Sequence, residues 1–128
     1  MLGFFLALLI CYCCSKEKRE DKRVDQLTGT WELIYMTDSM PETYWTFTGD
    51  STYEIERSIS DTSGTIIVRS HYLLTLDNYK YYITIDSLDN ALDGKFLIHK
   101  LNKEILILER IEWKHGGNPF LRQEFVRL

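Results

Sequence analysis

Beyond residue 27 the chain alternates apolar and polar positions in short runs separated by turn residues. A strand sends successive side chains to opposite faces, so alternation of this kind marks a strand with one buried face. The pattern predicts strands at 27–37, 43–48, 51–59, 65–76, 79–85, 95–101, 104–113 and 120–127. Gly49-Asp50, Asp77-Asn78 and Asn102-Lys103 supply turn chemistry between runs, and 60–64 and 86–94 are polar connections. Pro41 and Pro119 fall between runs, where the missing N–H costs no ladder bond. No stretch keeps a sustained apolar period near 3.6, so no amphipathic helix is expected.

Short connections make successive strands antiparallel neighbours. Antiparallel strands with one apolar face close into an up-and-down barrel, which removes exposed edges. The expectation is an all-β, eight-stranded antiparallel barrel, with a two-sheet sandwich as the competing arrangement. Parity assigns an inward set: Trp31, Leu33, Trp45, Phe47, Tyr53, Ile55, Tyr72, Leu74, Tyr81, Ile83, Phe96, Ile98, Leu106 and Leu108. These residues either line a cavity for a small apolar or amphipathic ligand or fill the barrel, whose interior at this strand number holds side chains or one small ligand. In the first case tyrosine hydroxyls and Arg57 or Arg110 would be polar anchors. Both arginines lie near strand ends, so reaching past the rim to solvent is the competing expectation. Ile34, Tyr44, Ile67, Tyr82, Ile105 and Ile107 have outward parity and form a candidate contact surface for a protein partner or a membrane.

Length sets a limit of one domain for 128 residues. The formal net charge is −4, and no basic stripe marks the strand region, which argues against nucleic acid as a partner. Residues 15–25 mix five cations with four anions, a composition expected of a solvated tether. Before it, 2–10 is continuously apolar and is followed by Cys11, Tyr12, Cys13 and Cys14. That run is well short of the roughly 20 residues a spanning helix needs. It resembles a bacterial lipoprotein signal, in which a lipidated cysteine becomes the new N-terminus. Cys14 is the preferred lipidation site and Cys11 the alternative. The resulting division is a signal segment at 1–14, a charged tether at 15–26 and a barrel domain at 27–128, with the mature chain secreted and held at the envelope, on the outer membrane.

Catalytic chemistry finds little support. His71, His99 and His115 lie on separate segments, without ligand spacing to one another or to a Cys pair, so no metal site and no cofactor are expected. Nucleophile elbows, phosphate loops and dinucleotide fingerprints do not occur. Glu54 and Glu56 fall on a polar strand face, and the inward set holds no carboxylate. A non-enzymatic role is the expectation.

Leu27-Thr28-Gly29-Thr30-Trp31, then Phe47-Thr48-Gly49-Asp50, then Leu106-Ile107-Leu108, and finally Arg127 within Phe125-Val126-Arg127 occur in an order that resembles lipocalin-like domains of bacterial lipoproteins. The likeness covers 27–128 and implies that Arg127 packs over the Trp31 ring, with Gly29 making room and Arg122 as the fallback. It departs from the larger lipocalins in lacking their C-terminal helix and their disulfide. It implies carriage of a small lipophilic ligand, with a side-chain-filled module for an envelope protein partner as the alternative.

Overall fold

The computed structural model describes residues 2–34, 40–49, 53–86, 92–115 and 117–128, with backbone alone for 2–14. The side chains of Cys11 and Cys14, the outer end of the expected strand 27–37, Asp50 of the expected turn and 51–52 lie outside the described residues. The elements are α1 (Leu2–Leu27), β1 (Gly29–Leu33), β2 (Glu42–Phe47), β3 (Glu54–Asp61), β4 (Gly64–Asp77), β5 (Lys80–Asp86), β6 (Gly94–Leu101), β7 (Ile105–Glu112) and β8 (Leu121–Arg127). Each strand pairs antiparallel with the next, and β8 returns to β1, which closes an eight-stranded up-and-down barrel of lipocalin-like architecture. Trp31 opposes Trp45 on one side and Arg127 on the other, so the closing seam runs past the Trp31 ring.

Alternation does the work. Thr43, Trp45 and Phe47 of β2 are buried while Tyr44 and Thr46 are half-exposed, and Leu106, Leu108 and Arg110 repeat the pattern on β7. Rings from different strands meet across the interior: Trp45 lies 5.0 Å from Phe125, and Phe47 lies 5.3 Å edge-on to Tyr72. The turns follow local chemistry. Asn102 Oδ1 accepts from the Glu104 and Ile105 amides at 2.8 Å, which tightens the β6–β7 turn. At the β3–β4 tip the Ser63 hydroxyl and amide donate to Asp61 and hold its carboxyl below the usual range.

The β4–β5 turn sits one residue later than the expected Asp77-Asn78. Asp77 pairs with Lys80, and the central residues are Asn78 and Tyr79, with φ of 50° and 65°. Two left-handed residues in a two-residue loop match the strand twist. Asparagine accepts that conformation readily, and tyrosine does not. Tyr79 is 88% exposed at the tip.

The ends differ. The lower end carries the start of β1, the β2–β3, β4–β5 and β6–β7 turns and the end of β8. The upper end carries the other four connections. At that end β4 outruns β5: His71 pairs with Asp86, and among the described residues 64–70 has a partner strand only in β3. Ile66 and Ile67 are exposed on this projecting hairpin.

One expectation is overturned. Residues 15–26 are not a solvated tether but the C-terminal half of α1, which runs unbroken to Leu27. Val24 and Leu27 are buried in the same core as Trp31 and Phe47. Arg23 lies 4.6 Å over the Tyr81 ring. The packed stripe is Glu20, Arg23, Val24 and Leu27, a helical spacing with two aliphatic residues in it. So sparse a stripe shows no sustained apolar period amid flanking charges, and docking on the barrel supplies the stability that propensity does not.

The strained turn makes a prediction. Tyr79→Gly relieves a left-handed non-glycine residue and should raise stability by about 1 kcal/mol. A urea midpoint that falls would show that the tyrosine ring contributes more to the fold than its backbone costs.

Candidate ligand-binding site

The lower end is sealed by one cationic side chain. The Arg127 guanidinium lies 4.2 Å over the Trp31 ring. Its Nε donates to the Lys103 carbonyl at 3.0 Å, Nη1 to the Thr28 carbonyl at 2.9 Å, and Nη2 to the Gln26 carbonyl. Trp31 Nε1 donates to Leu27 O at 2.9 Å, while the Thr28 amide and hydroxyl both reach Val24 O. These partners satisfy carbonyls that the last turn of a helix leaves open, and a cation there also complements the helix dipole. Gly29, at φ 135°, makes the approach possible, because a Cβ there would stand 2.7 Å from Arg127 Nη1. Arg122 takes no part: it is exposed and paired with Glu109 and Glu124.

A second arginine closes the upper end on the same plan. Arg110 was expected to reach past the rim, yet it is buried, at 6% exposure. Its Nε donates to Pro119 O at 2.8 Å and Nη1 to Asp93 O at 3.2 Å, and the guanidinium lies 4.4 Å over Trp113. Burial draws its pKa down from the ordinary arginine value, and the Asp93 carboxylate works in the opposite direction. Gly94, at φ 137°, sits beside it, and a Cβ there would fall on Glu112 O and 2.8 Å from Arg110 Cδ. This clamp ties the β5–β6 connection to the β7–β8 connection along the upper rim.

Between the clamps lies the lumen. Trp31, Trp45, Phe47, Ile55, Ile83, Phe96, Leu106 and Leu108 are essentially inaccessible, Tyr72 and Leu74 nearly so, and Leu33, Tyr81 and Ile98 pack against them half-buried. Tyr53 departs from the expected inward set. It precedes β3 at φ 44°, which breaks the alternation, and its ring stands 38% exposed beside Tyr72. The Tyr72 hydroxyl is not a ligand anchor either, because it donates to Thr48 O at 2.6 Å. Sequence reasoning omitted Val24, Leu27, Thr43, Ile85, Leu92 and Phe125 from the core. Ile85 carried a signal, since it shares parity with Tyr81 and Ile83, and Phe125 shares parity with Arg127, which the resemblance placed over Trp31.

Three polar atoms in this wall are buried: Trp45 Nε1, Arg57 Nε and Gln123 Oε1. Trp45 and Arg57 are cross-strand partners, and Gln123 lies between Leu121 and Phe125 on the inner face of β8. Trp45 Nε1 and Gln123 Oε1 have no hydrogen-bond partner among the described residues. Such atoms are uncommon in folded proteins, because each costs about 1 to 3 kcal/mol when left unpaired. The interior therefore offers a donor and an acceptor, with a guanidinium on the strand beside the donor. This set can hold a polar group.

No family model, curated protein or solved structure matches the chain. Among the described residues no group of three His, Cys, Asp or Glu side chains could hold a metal ion. No helix among them is long and apolar enough to cross a membrane. Open grooves lined by described residues lie outside the wall, where α1 crosses β4 and beside Trp113.

The two clamps can be tested by substitution. Trp31→Ala should cost about 3 to 5 kcal/mol through loss of a fully buried ring. Arg127→Ala should cost about 2 to 3 kcal/mol, more than a cation–ring contact alone, because it also strips partners from the end of α1. Urea denaturation reads both, and an Arg127→Ala loss below about 0.5 kcal/mol would deny the capping role.

Proposed function

We propose that the barrel binds one small amphipathic ligand in its interior, and that the protein is a non-enzymatic envelope lipoprotein held at a membrane by its N-terminus. The supporting observation is the buried, unpartnered donor and acceptor at Trp45 Nε1 and Gln123 Oε1. A barrel built only as a plug would place apolar atoms there, since unpaired polar groups destabilise it without return. A ligand with an apolar body and a polar head satisfies both atoms and finds Arg57 on the strand next to Trp45. The aromatic contacts that Trp45 makes with Phe47 and Phe125 already fill much of the interior, so the ligand is small. The anchor reading draws on the apolar run and the Cys11–Cys14 cluster that precede the charged stretch.

A second reading, docking of a protein partner, draws on the upper part of β4. Ile66 and Ile67 are exposed there at 63% and 49%, beside an edge without a described strand neighbour. A partner adding a strand would use that edge.

Titration of the full chain with a panel of fatty acids, lysolipids and aromatic acids separates the two readings. Ligand at about 100 times its Kd should stabilise the barrel by about 2.7 kcal/mol and change tryptophan emission. Gln123→Met should stabilise the unliganded barrel by about 1 kcal/mol, because it removes an unpaired acceptor, while weakening binding at least about tenfold. A panel that moves neither the melting point nor the emission sinks the ligand reading and leaves the edge of β4.

A further inference from the structure

Helix α1 carries its charges on two different flanks. Lys16 and Arg19, joined further along by Lys22 and Arg23, border the grooves that the helix forms with the β4–β5 turn and Tyr81. Glu17, Glu20 and Asp21 border the groove on the other flank, against Tyr53 and Leu73. Helical spacing produces the split, since 16, 19 and 23 fall on one stripe and 17, 20, 21 and 24 on the next. The stretch looks neutral when its charges are summed, yet it is strongly polarised once wound.

The basic flank faces the turn whose tip is Tyr79, followed by the exposed Lys80. Ser15 lines the same groove as Tyr79, so the apolar half of α1 leaves the barrel beside this turn. The point where a lipid on Cys14 would join the chain, an 88% exposed tyrosine held in a left-handed backbone, and a row of cations thus lie on one side of the lower end. Asp77 is the opposing charge on the turn, and the cations named above outnumber it.

We propose that this side of the lower end docks on an anionic lipid surface, with Tyr79 at headgroup depth and Lys16, Arg19 and Lys80 on the lipid phosphates. Amphipathic aromatic rings favour that depth, and basic residues beside an apolar anchor are drawn to anionic headgroups. The acidic flank of α1 and the upper mouth then face away from the surface. The docking rests on the membrane-anchored reading and on no property of the ligand.

The test uses the processed chain lipidated at Cys14 with vesicles of phosphatidylcholine alone or mixed with phosphatidylglycerol. Flotation reads the anchor, and mass-spectrometric acetylation rates of Lys80 and Lys114 read the docking. Lys114 serves as the control because it lies at the upper end, paired with Asp86. On the anionic vesicles Lys80 should react about fivefold more slowly than on neutral ones, the partition change that one cation near such a surface confers. Lys114 should keep its rate, and Arg19→Glu, which spares the buried stripe, should restore that of Lys80. A chain that floats with Lys80 unprotected, or with both lysines slowed alike, overturns the docking and leaves the anchor standing. A chain that floats with neither vesicle overturns both.

Discussion

The contact between Arg127 and Trp31 holds together more of this chain than any strand pair does. One guanidinium, on the penultimate residue, bonds carbonyls at the end of α1, at the start of β1 and in the β6–β7 turn while covering an indole. Two of those partners lie 99 and 101 residues away in sequence. Closure of β8 on β1 brings the arginine there, and the arginine in turn completes the C-terminus of the helix. The helix and the barrel seam are therefore one cooperative unit. Pairing over such a separation carries a large loop-closure entropy, which places the seam among the late events of folding.

The upper clamp shows that this arrangement is a solution, not an accident of one corner. Arg110 covers Trp113 and holds two carbonyls, and a glycine with φ near that of Gly29 yields room beside it. Both clamps place a planar cation over an indole and give its N–H groups to chain ends that strand ladders leave open. Arginine suits this better than lysine, because its fork serves several carbonyls at once and stacks on a ring. The clamps differ in surroundings. Arg127 is partly open to water, so its bonds weaken less on solvent entry, whereas the burial of Arg110 makes its carbonyl partners indispensable.

The barrel itself was legible from alternation, because period-2 patterning records which face is buried. The lower clamp was legible only through likeness, on Gly29, Trp31 and Arg127. What escaped has physical causes. Val24 and Leu27 make a helix face from two aliphatic residues, below what periodicity detects. Tyr53 and Tyr79 sit at positive φ, where parity no longer tells the side of a residue. Arg110 has inward parity, and the ordinary habit of long cations argued it outward, but carbonyls at Asp93 and Pro119 reversed that. The unpaired Trp45 Nε1 was invisible, since a sequence counts tryptophan as apolar and says nothing of where its N–H points.

On the reading proposed above, the two ends of the barrel would divide the requirements of a tethered binder. Below, the final turns of α1 and the Arg127 clamp pair the carbonyls of Gln26, Thr28 and Lys103 with one guanidinium. The unpartnered donor and acceptor belong to the wall itself, Trp45 level with its partner Trp31 and Gln123 two residues further up β8 than Phe125, the partner of Leu33. With the lower end on a lipid surface as proposed, a ligand could not slip sideways from the bilayer into the lumen. It would enter from the upper mouth, past the connections that Arg110 ties together. Exchange would then depend on how often that clamp opens, and the buried guanidinium, which must regain water or a new carbonyl as it leaves Pro119 and Asp93, sets the height of the barrier.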